Sequence, residues 1–129
     1  MSNQLKVSAK FPVPAKVIYK AWLTSQTHTD MTGGEAFTSS KIGGKFKAWD
    51  GYITGKNLEL VKDKRIIQAW RTSEFAESDL DSLLVVDFED VPGGCKVTIT
   101  HSLIPKGQSS YKQGWIDYYL LPMKAYFKK

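Results

Sequence analysis

A chain of 129 residues with one cysteine suits a single domain that buries about two-thirds of its unfolded surface. It lacks a cysteine pair for a disulfide or a CxxC metal or redox site. The net charge of +5 comes from scattered lysines without the basic block of a nucleic-acid arm, no window approaches the ~18 apolar residues of a membrane span, and residues 1–20 lack a signal-peptide core. These features exclude disulfide scaffolds and membrane spans. They predict a cytoplasmic protein without metal, cofactor, nucleic-acid or membrane partner.

Leu5, Val7, Ala9 and Phe11 alternate with polar residues, the period-two pattern of a half-buried strand, which Pro12 ends. Pro14 opens a first helix carrying Val17, Ile18, Ala21, Trp22 and Leu23 at helical spacing, predicted to run to the Thr-rich segment before Gly33-Gly34. Strands and hairpins follow. The expected strands are 36–40, 44–49 with the Asp50-Gly51 turn after it, 52–61 and 65–73. An acidic loop at 74–81 leads to strand 82–89, and Pro92-Gly93-Gly94 turns the chain into 95–103.

Residues 109–129 read as one long helix. At about 100° per residue, Tyr111, Trp115, Tyr118, Tyr119, Pro122 and Tyr126 share one flank, and Ile116, Leu120, Met123 and Phe127 the adjoining one. The apolar face thus covers roughly half the circumference, against ~100° for an ordinary surface helix. Gln113, Asp117, Lys124 and Lys128 form the polar strip. Pro122 lacks a backbone donor and clashes with the Tyr118 carbonyl, which predicts a kink between those residues.

Strand, helix, a meander of strands and a last helix form an α+β order. A curved antiparallel sheet wrapped around the long C-terminal helix satisfies both halves, within one domain over 1–129. Leu84, Val86, Phe88, Val97, Ile99, His101 and Leu103 then line the concave side. Ile66, Gln68, Trp70 and Thr72 share one face of their strand, and the bulk of Trp70 assigns that face to the interior. Arg71, on the other face, is expected to pair with an acid.

Familiar chemical motifs fail in detail. Residues 74–81 lack the D-x-[DN]-x-[DN]-G order of a calcium loop, residues 51–56 have too short a glycine spacing for a phosphate loop, and neither G-x-G-x-x-G nor G-x-S-x-G occurs. The two histidines, His28 and His101, have no obvious acid partner or nucleophile nearby in sequence. Cys95 reads as a small packing residue. No catalytic residue is assigned.

Gly43-Gly44-Lys45-Phe46, Gly51-Tyr52-Ile53-Thr54-Gly55, Leu58-Glu59-Leu60-Val61, Ile66-Ile67-Gln68-Ala69-Trp70-Arg71, Gly114-Trp115, Tyr118-Tyr119 and Pro122-Met123-Lys124 together resemble the C-terminal-like domain of the activators of heat-shock protein 90 ATPase. The resemblance runs from about Leu5 to Phe127 and implies a START-like helix-grip fold with a cavity between sheet and last helix. The expected function is non-enzymatic binding of an apolar or amphipathic small molecule there. Candidate pocket residues are Gln68, Trp70, Val86, Phe88, Ile99 and His101 from the sheet, with Trp115, Tyr118, Tyr119 and Met123 from the helix. The alternative is a stress-related, co-chaperone-like module that contacts a heat-shock protein 90-type chaperone, with Lys45, Lys47 and Trp49 on one strand face as the docking group.

Overall fold

The computed structural model describes residues 3–105 and 111–127. Predicted helix positions 109, 110, 128 and 129, Lys128 of the polar strip included, lie outside the described residues. Strand β1 (Asn3–Phe11) is followed by helices α1 (Ala15–Leu23) and α2 (Ser25–Thr32). Five strands follow, β2 (Lys45–Ala48), β3 (Ile53–Val61), β4 (Arg65–Thr72), β5 (Ser82–Val91) and β6 (Gly94–Ile104). They form one antiparallel sheet with β1, in the order β1-β6-β5-β4-β3-β2. The C-terminal helix comprises α3 (Tyr111–Trp115), a π turn (Ile116–Leu120) and α4 (Leu121–Phe127).

The buried side chains of β4, β5 and β6 alternate as predicted, Ile66, Gln68, Trp70 and Thr72 against Leu84, Val86, Phe88, Val97, Ile99 and His101. Leu103 departs from the pattern. Its φ is +59° and it is 55% exposed, while Ile104 is buried. The β1–β6 register shifts between Leu5↔His101 and Asn3↔Ile104, so that Ser102 and Leu103 of β6 together oppose the single residue Gln4 of β1. This bulge turns Leu103 out of the concave lining.

Three other expectations need correction. The first helix is two helices, because Thr24 is extended and the threonine hydroxyls satisfy the carbonyls at the end of α1. Thr24 Oγ1 donates to Lys20 O at 2.8 Å and Thr27 Oγ1 to Ala21 O at 3.0 Å, the local competition with helix geometry that threonine offers. Residues 36–40 form only one bridge, Phe37 with Lys47. Their other backbone donors turn to α2, Ala36 N to Thr29 Oγ1 at 2.9 Å and Thr38 N to Ser25 Oγ at 2.8 Å.

The irregularity ahead of Pro122 is a π turn, in which the Leu121 N–H reaches the Ile116 carbonyl. Its effect is rotational. Tyr111, Trp115, Tyr119, Met123 and Phe127 are all buried at a constant spacing of four residues, which drifts about 40° per step in an ideal α-helix. One wider turn offsets part of that drift. It leaves Tyr118 and Tyr126, predicted for the gripped flank, exposed.

Candidate functional site

Aromatic side chains fill the space between the middle of the sheet and the helix. Trp70 of β4 packs its ring at 4.5 Å from that of His101 on β6 and 5.5 Å from that of Trp115. A one-way hydrogen-bond chain threads this cluster. The Trp115 indole N–H, which can only donate, reaches His101 Nδ1 at 3.1 Å. That leaves the proton on Nε2, which donates to Ser82 Oγ at 2.7 Å, and Ser82 Oγ donates to the Trp70 carbonyl at 2.6 Å. Burial lowers the His101 pKa to about 4, consistent with a neutral ring.

A second histidine is fixed beside the first group. His28 of α2 has Nδ1 2.8 Å from the Trp22 carbonyl and Nε2 2.7 Å from the Tyr119 hydroxyl. The carbonyl requires a proton on Nδ1, so Tyr119 donates to Nε2. Burial lowers His28 to about 4 against the opposing pull of the Trp22 carbonyl, and burial raises the Tyr119 phenol. The Tyr119 ring stacks on Trp22 at 5.0 Å and meets Trp115 at 4.8 Å. Both histidines are thus structural members of a satisfied network, without a free ring nitrogen.

A further buried polar pair lies under the first hairpins. Gln68 donates to Asn57 Oδ1 at 2.9 Å, and Asn57 Nδ2 donates to the carbonyls of Ser39 and Lys41 at 2.8 and 3.0 Å. Gln68 therefore ties the 39–44 loop to the sheet. Arg71 pairs with Asp81 at 2.8 Å and also reaches the carbonyls of Ala76 and Asp79. This holds the acidic loop in place.

Open space occurs at one end of the sheet–helix interface. A cleft of about 590 Å³ lies between the start of the C-terminal helix and the β2–β3 turn. Trp70, Trp115 and Tyr119 form its inner wall, with Trp49, Tyr52 and Tyr118 nearer the mouth and Glu74 and Asp117 supplying carboxylates. Trp49, Asp50 and Gly51 all have positive φ, so β2 ends at Ala48 and Trp49 leaves the lysine face. Its ring lies against Gly34, where a Cβ would fall 2.4 Å from Trp49 Cε3. The ring meets Tyr118 at 5.3 Å and 71°.

Polar groups at the mouth form a compact set. The Tyr52 hydroxyl donates to Glu74, the Glu74 N–H donates to Thr72 Oγ1 at 3.1 Å, and Thr72 Oγ1 shares a hydrogen bond with the Tyr111 hydroxyl at 2.9 Å. Burial, with the hydrogen bond to Glu74 second, raises the Tyr52 phenol well above its usual range. Asp117 accepts from Gln113 Nε2 at 2.9 Å. Among the described lining residues none is Lys, Arg or His.

The predicted pocket residues therefore separate. Trp70, Trp115, Tyr118 and Tyr119 line the cleft, whereas Gln68, Val86, Phe88, Ile99, His101 and Met123 are buried in packed interior. Lys45 and Lys47 project from the outer face of β2, apart from Trp49. Sequence reasoning missed Tyr52, Glu74 and Asp117 as cleft residues, and His28 and Asn57 as buried polar anchors. The positive-φ turn that swings Trp49 inward carried only the Asp50-Gly51 signal. Among the described residues no cluster could hold a metal ion and no helix is long and apolar enough to cross a membrane.

The family model described as Activator of Hsp90 ATPase homolog 1-like protein matches residues 12–128. The chain belongs to this family. Activator of 90 kDa heat shock protein ATPase homolog 1 of Homo sapiens is 25% identical over 125 residues, covering 96% of this chain and 37% of the human protein. The chain thus spans a little over a third of the length of that relative. A crystal structure described as an HSP90 activator from Plasmodium falciparum is 27% identical with a TM-score of 0.84, covering 95% of this chain and 94% of that one. The solution structure of an Aha1 dimer from Colwellia psychrerythraea is 16% identical with a TM-score of 0.82, over 98% of this chain and 96% of that one, and shows likeness of fold. The fold is the START-like helix-grip of this family. Curated relatives carry the name activator of 90 kDa heat shock protein ATPase, homolog 1 or 2.

Proposed function

We propose that this chain is a co-chaperone-like domain that contacts a heat-shock protein 90-type chaperone through the outer face of its sheet at β2. The observation that carries this reading is the match to the Plasmodium falciparum HSP90 activator over nearly the whole of both chains. The surface at β2 is consistent with it. Lys47 lies opposite Phe37, which is 59% exposed, and Lys45 lies opposite Lys56. Like charges directly opposed across a ladder are destabilising, and an acidic partner surface would relieve that repulsion on contact. The exposed Phe37 ring supplies the apolar anchor beside the charges.

The test is titration of the purified chain with a heat-shock protein 90-type chaperone at low and high salt, with the chaperone's ATPase rate read in parallel. Association is expected to weaken with salt and to fall roughly ten-fold or more in Lys45→Glu/Lys47→Glu. Unchanged binding in the double variant overturns the assigned surface. Absence of binding by the unaltered chain overturns the reading itself.

A second reading rests on the cleft. A concave space of about 590 Å³ falls within the size range of small-molecule sites, so the ligand reading moves from the filled interior to the Trp49–Tyr118 end. Native mass spectrometry of the chain purified gently from its source cells tests it. A retained mass lost in Tyr118→Ala supports the reading, and a bare chain counts against it.

A further inference from the structure

The cleft differs in charge from the surface around it. The chain carries +5 overall, yet the described lining holds two carboxylates and no basic side chain. An anion entering this space meets Glu74 and Asp117 at the mouth. A wholly apolar guest would draw water from the Glu74 and Asp117 carboxylates without offering a counter-charge, at the usual cost of desolvating charged groups.

The walls themselves favour positive charge. Aromatic faces carry the negative side of the ring quadrupole, and cations held over Trp or Tyr within about 6 Å are attracted to it. Trp49 and Tyr118 meet edge to face at 71° with centroids 5.3 Å apart, and both rings line the cleft, forming an aromatic corner at its mouth. Trp115 and Tyr119 continue the wall inward, their rings 4.8 Å apart and tilted at 52°. Asp117 is one residue from Tyr118 on the same π turn, and its carboxylate is oriented by Gln113 at 2.9 Å.

We infer that the cleft binds a small organic cation, an alkylammonium or quaternary ammonium group seated against the Trp49–Tyr118 corner, with Asp117 and Glu74 supplying the counter-charge. This assignment rests on the second reading above, that the cleft is a ligand site. It requires no chaperone contact, because Lys45 and Lys47 do not line the cleft.

The experiment compares choline with its uncharged carbon isostere, neohexyl alcohol, by tryptophan fluorescence and by the indole N–H signals in nuclear magnetic resonance spectra of the full chain. Choline is expected to bind roughly ten-fold more tightly than the alcohol. Tyr118→Ala and Asp117→Asn are each expected to weaken choline by about three-fold or more, whereas Tyr118→Phe, which keeps the ring, retains it. Both altered residues are exposed, and circular dichroism confirms that the variants fold. Equal affinity for choline and the alcohol overturns the cation and leaves the cleft as a ligand site. No binding of either probe overturns both. A capped lysine peptide that binds more tightly than choline overturns the small-molecule assignment in favour of a protein side chain.

Discussion

Around His101, the rings of Trp70, Tyr111 and Trp115 meet, and a continuous chain runs from the Trp115 indole to the imidazole, from the imidazole to Ser82 and from Ser82 to the Trp70 carbonyl. Around Trp49 and Tyr118, side chains of the same kinds enclose a cleft, and Trp49 Nε1 is buried without a hydrogen-bond partner among the described residues. Aromatic content alone therefore does not distinguish a plugged interior from a usable space. What separates the two regions is whether complementary groups from neighbouring strands meet the polar tips. In the interior β4, β5 and β6 each contribute a member of the chain. At the cleft Trp49 stands on a positive-φ turn and Tyr118 on a π turn, neither of which continues a ladder.

The comparison is broken most directly by truncating one ring in each region. Trp115→Ala removes a fully packed indole and leaves His101 Nδ1 without its donor. It should cost about 3–5 kcal/mol by chemical denaturation. Tyr118→Ala, at a site 57% exposed, should change stability by less than about 0.5 kcal/mol. Similar losses in both variants would mean that the cleft wall belongs to the core.

Acidification tests the interior as a whole. His28 and His101 have folded pKa values lowered to about 4, against about 6.5 when unfolded. Between those values the unfolded chain binds more protons than the folded one, so stability falls as pH falls. The contribution is complete above about pH 6.5 and is lost progressively toward pH 4, at up to about 1.4 kcal/mol per pH unit for each histidine. Denaturant midpoints across this window should show the slope, and His28→Gln should remove about half of it. A flat profile would place both rings in contact with solvent, and half the slope in the unaltered chain would place one there.

Tyr119→Phe is a smaller perturbation of the same interior. It keeps the ring stacked on Trp22 and removes only the hydroxyl that donates to His28 Nε2. Leaving that buried acceptor unpaired should cost about 1–3 kcal/mol, and the His28 pKa, followed by ring-proton shifts, should move. An unchanged midpoint would show that another donor replaces the phenol.

Much of the fold follows from periodicity. Alternation in residues 82–103 and the wide apolar face of the last helix are local signals, and together they imply a curved sheet gripping a helix. The exceptions arise where an extra residue is inserted. The bulge at Leu103 reverses the final alternation of β6. Another, at Leu58, shifts β3 against β4, so that Asn57 pairs with Gln68, whereas counting back from Val61↔Arg65 without it would place Asn57 opposite Ala69. The π turn shifts Tyr118 from the gripped flank to the cleft. Each insertion is stabilised by contacts distant in sequence, such as Asn57 with the 39–41 carbonyls, and a single strand or helix read alone does not contain them. At the cleft mouth Trp49 stands on a positive-φ turn and Tyr118 on the π turn, so the residue pattern points to Trp70, Trp115, Tyr118 and Tyr119 and not to their junction with Trp49, Tyr52, Glu74 and Asp117.

The sharpest test applies one substitution, Trp→Phe, to both regions. In Trp115→Phe the ring remains roughly in place, but His101 Nδ1 loses the only donor that reaches it in the described structure, an unsatisfied buried acceptor worth about 1–3 kcal/mol. In Trp49→Phe the lost N–H is one that makes no hydrogen bond among the described residues. Removing an unpaired buried donor relieves its desolvation cost, while the smaller ring gives up part of its contact with Gly34 and Tyr118. The two effects oppose each other, and the expected net change is within about 0.5 kcal/mol of zero. A large loss in Trp49→Phe, measured by denaturant unfolding alongside Trp115→Phe, would mean that this indole is as fully engaged as its counterpart. The cleft would then be a variation of the packed interior instead of an open site. A near-zero change, with Trp115→Phe clearly destabilised, would leave Trp49 free to serve a guest instead of the fold.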